Sequence, residues 1–265
     1  MDQFAKVLHS FHLSGDAITR LSGGQNTSIR VQHAVLKPVE DERHYEWMLR
    51  IIEKLSPREY RLSKPIRSVN GTFVSEGWIC TRFEQGHEAK GRVEEKLRVS
   101  RSFHRDLSHI SAKDFPLADH PWSKSHRIAW QEDGLPHDMP KEAHDVLTGL
   151  LRKVNRDGHY KMQLIHGDLA GNILFDETLP PLIIDFSPTI APVEYAEAIL
   201  VCDCIAWQGS TLSELRLLPG DEFYKEMIIR AIIFRLSVSA ILSKGNITPF
   251  FQDYNAFKPI IDDYI

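Results

Sequence analysis

The sequence predicts an α+β chain: a small strand-rich N-terminal part, then a larger and mainly helical one. Three observations carry this. Up to residue 83, short β-branched and aliphatic runs alternate with Gly- and Asn-bearing turns around one amphipathic segment. After Gly86 the chain turns to long amphipathic or wholly apolar segments. Between these long segments, two apolar runs, 162–165 and 182–184, are each followed closely by a carboxylate.

In chain order, residues 17–21 and 27–31 read as strands flanking Ser22-Gly23-Gly24-Gln25-Asn26, and 34–37 follows after a turn at Gln32-His33. A helix comes next, because Trp47, Met48, Ile51, Ile52 and Leu55 recur at the spacing of one helical face. Strands are expected at 72–74 and 78–83, around Ser75-Glu76-Gly77. The boundary falls near Glu84-Gln85-Gly86, giving parts 1–84 and 85–265. Helices are expected at 93–110, 141–154, 193–208 and 221–242. The insert 111–140, rich in Pro, His, Asp and Trp, reads as a functional or packed surface loop.

Composition excludes several classes. The 265 residues are 42% hydrophobic and 26% charged, enough for a substantial core. The most apolar stretch, 227–242, is too short to span a bilayer and carries Arg230 and Arg235, so it reads as a buried helix and no membrane partner is expected. No N-terminal run resembles a secretory signal, and three unevenly spaced cysteines make no disulfide framework, so a cytoplasmic location is expected. The net charge of −4 lies wholly in 191–265, which holds 10 acids and 6 bases. No basic run with interleaved aromatics marks a nucleic-acid surface.

The most informative residues are His166-Gly167-Asp168-Leu169-Ala170-Gly171-Asn172 and Ile183-Ile184-Asp185-Phe186-Ser187. Two carboxylates after strand-like runs and an asparagine between them suit one base and a pair of hard-metal ligands. Phosphoryl transfer needs little else: a group that orients the attacking hydroxyl, and metal that neutralises charge on the phosphates.

These two segments resemble the catalytic core of the aminoglycoside phosphotransferase and choline kinase-like enzymes, the small-molecule branch of the protein kinase-like fold. The resemblance implies a two-lobed architecture with a β-rich N-lobe and a mainly helical C-lobe, binding ATP and Mg²⁺ between them. It implies Asp168 as catalytic base, Asn172 and Asp185 as metal ligands, and His166 as a structural member of the loop. Lys37, ending its strand downstream of the Gly23-Gly24 turn, matches the family lysine that meets nucleotide phosphates, and the turn itself matches the phosphate loop. Asp203, amid Ile199, Leu200, Val201, Cys202, Cys204 and Ile205, matches an aspartate that braces the catalytic loop by accepting backbone N–H bonds. Two departures stand out: Asn172 follows Asp168 by four positions where the family has five, and Ser187 replaces the glycine of the metal-binding triplet.

The acid that holds Lys37 stays open. Glu42 and Glu46 fall nearly opposite the apolar face of their helix, and Glu40 is another candidate. A helix beginning near Val193 leaves no room for a protein-kinase activation segment. The expected acceptor is therefore a hydroxyl of a small molecule, with Trp122 and Trp130 as candidate walls of its site and late acidic residues facing any cationic group. A catalytically silent nucleotide-binding protein of the same fold, or transfer to a protein side chain, are the alternatives.

Overall fold

The computed structural model describes residues 3–15, 18–21, 27–116, 118–155 and 158–265. Its elements run α1 (Gln3–Ser10), β1 (Ile18–Arg20), β2 (Ile29–Val31), β3 (Ala34–Pro38), α2 (Glu42–Lys54), β4 (Arg61–Leu62), β5 (Val74–Ser75), β6 (Trp78–Arg82) and β7 (His87–Glu88). Then follow α3 (Val93–Leu107), α4 (Pro121–Ala129), α5 (Lys141–Leu151), β8 (Gln163–His166), β9 (Ile173–Phe175), β10 (Leu182–Ile183) and β11 (Pro188–Ala191). The chain ends with α6 (Val193–Trp207), α7 (Glu222–Leu242) and α8 (Ile247–Tyr264). It divides into two compact units: Met1–His87 with Lys113–Ala118 and Leu174–Phe186, and Glu88–Ala112 with Asp119–Ile173 and Ser187–Ile265.

The first unit is built on an antiparallel sheet in the order β1-β2-β3-β6-β5. Strand alternation sorts β3: Ala34 and Leu36 are buried, while Lys37 points to the other face. Val7, Leu8, Phe11 and Leu13, from α1 and the turn after it, cover the buried face together with Val31 and Cys80. α2 starts where the Asp41 side chain accepts the His44 N–H, and it buries Met48, Leu49, Ile51 and Ile52 as the sequence spacing predicts. Part of the 111–140 insert belongs here: Phe115 sits edge-on to Trp47 of α2, with ring centroids 5.2 Å apart.

The second unit is helical around α7, which is buried from Met227 through Ala240 and packs against α4, α5, α6 and α8. A helix apolar on every side belongs in a core, which explains why 227–242 reads so hydrophobic. β8 pairs antiparallel with β11, with His166 opposite Pro188 and Gln163 opposite Ala191. β10 instead lies parallel to β4, with Leu182 opposite Arg61. The two apolar runs that precede Asp168 and Asp185 therefore belong to different sheets. Among the described residues, three α-helices escaped the sequence reading: α1, α4 inside the insert, and α8.

Candidate active site

In the second unit, β8 delivers its buried end, His166, to a loop that runs through Asp168 and turns at Ala170-Gly171 into Asn172. His166 is fixed from both sides. Its backbone N–H donates to His104 Nε2 at 3.0 Å, and its ring Nδ1 accepts the Asp168 N–H at 3.1 Å. An accepting Nε2 makes His104 the Nδ1–H tautomer, whose proton faces Ser100 Oγ at 3.3 Å. Burial, reinforced by nearby His166, pushes the His104 pKa down to about 3, so it stays neutral and keeps this acceptor.

Asn172 closes the loop onto Asp168. Its Nδ2 donates to the Asp168 carbonyl at 2.6 Å and to Oδ2 at 3.3 Å. With the amide nitrogen committed to Asp168, the carbonyl oxygen, which is the end with metal-ligand chemistry, is directed away from it. The loop is one residue shorter than the family pattern, yet Asn172 still reaches Asp168.

The Asp168 carboxylate is held by a residue that the sequence reading noted only as a charge in an apolar stretch. Arg235 Nη2 of α7 donates to Asp168 Oδ1 at 2.5 Å. The same guanidinium grips Asp203, with Nε at 2.9 Å from Oδ1 and 3.1 Å from Oδ2 and a further bond from Nη2. Asp203, read from sequence as an acceptor of loop N–H groups, is thus engaged by Arg235, which links it to Asp168. Arg235 and Asp203 are buried, whereas the Asp168 side chain keeps 35% of its surface. Burial pushes Asp168 up in pKa, but the charge and hydrogen bond of Arg235 prevail and hold it below the usual carboxylate range. Burial raises Asp203 to about 6 against the opposing pull of Arg235. One signal did exist in the sequence: an arginine in a helix apolar on every side needs a buried partner.

Gly167 has a local cause. A Cβ there would lie 2.6 Å from Nε2 of His126, on α4. That ring cannot yield easily, because it stacks on Phe234 at 3.7 Å and its Nδ1 meets the Tyr195 hydroxyl at 3.1 Å. Gly167→Ala should therefore overpack the loop, at a cost of about 1–3 kcal/mol by denaturant unfolding. Stability equal to wild type would show that the ring has room to move. The insert thus reaches the loop through His126. Of its tryptophans, Trp130 lies under Arg230 at 4.2 Å and edge-on to Tyr195, and Trp122 pairs with His120. Trp130 also lines a cavity of about 580 Å³ with Tyr160, Met162 and Arg230; Asp168 is not among its lining residues.

The other candidate residues belong to the first unit. Lys37 Nζ is ion-paired with Asp185 Oδ1, joining β3 to the residues after β10. Asp185 adopts φ 49°, a left-handed conformation that aspartate tolerates better than most residues. Tyr45 of α2 feels both charges; its pKa is raised chiefly by burial, with Lys37 opposing and Asp185 adding to it, so the phenol keeps its proton. Glu46 points away, accepting the N–H groups of Phe73 at 2.6 Å and Val74 at 3.1 Å, which ties α2 to β5. Gly23 and Gly24 lie outside the described residues. Among the described residues, no cluster of three or more His, Cys, Asp or Glu side chains forms a metal cage. Taken singly, the Asp185 carboxylate and the Asn172 amide carry oxygens of the kind Mg²⁺ takes, an ion that keeps much of its coordination on phosphates and water.

No family model and no curated protein matches the sequence. Solved structures do match, along nearly the whole chain. The aminoglycoside phosphotransferase APH(4)-Ia superposes with a TM-score of 0.66, covering 98% of each chain at 15% identity. The GDP complex of aminoglycoside 2'-phosphotransferase-IIIa gives 0.61, covering 100% of both at 15% identity. Spectinomycin phosphotransferase APH(9)-Ia, in complex with ADP and spectinomycin, gives 0.58, covering 99% of this chain and 94% of the other, at 15% identity.

The chain has the protein kinase-like fold of the aminoglycoside phosphotransferases.

At such identities the aminoglycoside phosphotransferase fold is what is shared, and the chemistry has to be argued from this chain's own side chains. Within that fold, the strand-rich unit carries Lys37 and Asp185, and the helical unit carries Asp168 and Asn172.

Proposed function

We propose that this protein is a small-molecule kinase, moving the γ-phosphoryl group of ATP to a hydroxyl of a small acceptor with Mg²⁺. The observation that carries the reading is the loop carboxylate Asp168, partly exposed and fixed through its N–H by His166, its carbonyl by Asn172 and its side chain by Arg235. An ionised acid held this firmly accepts the acceptor's hydroxyl proton and aims the oxygen. It need not be a strong base, since a loose phosphoryl-transfer transition state asks little activation of the nucleophile. The depressed pKa of Asp168 suits that role. Lys37 and the Gly23-Gly24 turn hold phosphates, and Asn172 and Asp185 hold the metal. Bound Mg²⁺ supplies neutralising charge to the phosphate oxygens. His166 and Asp203 keep the loop in position.

Complexes of proteins with this fold support the reading: APH(4)-Ia variants with AMP-PNP and hygromycin B, and APH(9)-Ia with ADP and spectinomycin. The test is turnover of Mg-ATP by purified protein across a panel of hydroxyl-bearing metabolites, with phosphorylated product read by mass. A second reading, a silent nucleotide binder, is favoured by the shortened loop; it predicts stabilisation by Mg-ATP with no phosphorylated product from any acceptor.

The metal assignment has its own check. A ligand at 100 times its Kd stabilises the folded state by about 2.7 kcal/mol. Mg-ATP should therefore raise the melting temperature of the wild type measurably, and Asp185→Ala should lose the Mg²⁺-dependent part of that rise. A full shift in the variant would move the metal to other residues.

A further inference from the structure

Lys96 is the one lysine with no exposed surface among the described residues, and neither the fold nor the proposed chemistry uses it. It lies on α3 within the buried stripe of Val93, Leu97, Ser100 and Phe103, where an aliphatic side chain would be expected. Its ammonium faces neither solvent nor a directly bonded carboxylate. Nζ donates to the Ala170 carbonyl at 2.9 Å and to Gln208 Oε1. Gln208 in turn receives the Cys204 thiol at 3.4 Å and donates through Nε2 to Glu88 Oε1 at 3.3 Å. Gly171 sits over this chain of contacts: a Cβ on it would lie 4.0 Å from both Gln208 Nε2 and Glu88 Oε1.

Ala170 is the midpoint of the Asp168–Asn172 loop, at a turn rather than in a helix or strand. The two ends of the loop are pinned by the contacts of Asp168 and Asn172 already described. The middle peptide is gripped from below by Lys96.

We propose that Lys96, oriented by Gln208 and Glu88, is a positioning residue that fixes the Ala170–Gly171 peptide and thereby the placement of Asn172 relative to Asp168. The physical reason for a lysine is reach and charge. A four-carbon stem crosses the core from α3, and an ammonium gives a carbonyl a stronger bond than a neutral donor does. Gln208 orients the head, so the pull on Ala170 has one direction. Only the rate readout of the test below rests on the phosphotransferase reading; the loop readout does not.

Lys96→Met keeps the length of the stem and removes the donor. Because the buried Ala170 carbonyl and Gln208 Oε1 lose their donor, the variant should melt somewhat below wild type but remain folded. Hydrogen exchange of the Gly171 and Asn172 amides should rise by about tenfold beyond any rise in α7, because local opening becomes easier in addition to any change in global stability. Turnover of Mg-ATP should fall about 10- to 100-fold in kcat with KM for ATP unchanged, the signature of a misplaced catalytic group. Should Lys96→Met fail to fold, Gln208→Leu, which leaves the lysine but frees its head, should raise exchange at the same amides. Exchange at Gly171 and Asn172 rising no more than that of α7 in the folded variant overturns the proposal. A wild type without any turnover refutes the kinase reading and leaves the exchange result to decide on Lys96.

Discussion

Asp168→Ala should lower phosphoryl transfer by about 10²–10⁴-fold, the range lost when a positioned acid–base group is removed. Nucleotide binding should hardly change, because Lys37 and Asp185 are untouched. Asp168→Asn is the sharper test. It keeps the shape and an oxygen to receive Arg235, but it cannot take the acceptor's proton. Both variants should remain folded: the Asp168 side chain is 35% exposed, and Arg235 retains Asp203 as its buried partner. The measurement is steady-state turnover with the best acceptor of the metabolite panel, beside the melting shift induced by Mg-ATP. Near-normal turnover in Asp168→Asn would exclude this residue as the base.

Arg235→Ala should be the most destabilising of these substitutions. It removes the cation that pairs with the buried Asp203, leaving a carboxylate inside the protein without that charge partner. Breaking a buried pair from one side costs about 3–5 kcal/mol, whereas replacing both partners by apolar groups is often nearly neutral. A double-mutant cycle therefore separates the two roles of Arg235. Arg235→Met should unfold at clearly lower denaturant than wild type, and Arg235→Met with Asp203→Leu should recover most of the loss. Turnover should stay low in both, because Asp168 has lost the bond that aims it. A double variant with restored stability and normal turnover would show that Arg235 serves packing alone. One that is no more stable than the single variant would show that the Asp203–Arg235 pair is not what the single substitution breaks.

The legible and the hidden parts of this molecule divide along one physical line. The placing of Asp168, Asn172, Lys37 and Asp185 could be read because it is local: each stands in or just after a strand-like run or in a turn, positions set by backbone alternation and turn chemistry within a few residues. α2 was readable from its apolar spacing, and α7 from its lack of a polar face.

The helices α4 and α8 were missed because their residues carry weaker local signals: α4 opens on Pro121 amid His and Trp, and α8 contains Pro259. Their helicity comes from packing onto α7. The pairing of β8 with β11, and of β10 with β4, was equally out of reach, since short apolar runs do not encode their partners. The same holds for the side chains that support the loop. Arg235 meets Asp168 across 67 positions, and Lys96 meets Ala170 across 74. In the sequence each is a charge placed awkwardly among apolar neighbours, which says that a partner is required but not which one. Periodicity determines which face of an element is buried. Which distant charge shares that burial is decided only when the elements are packed, because desolvation makes a buried charge costly until its partner arrives.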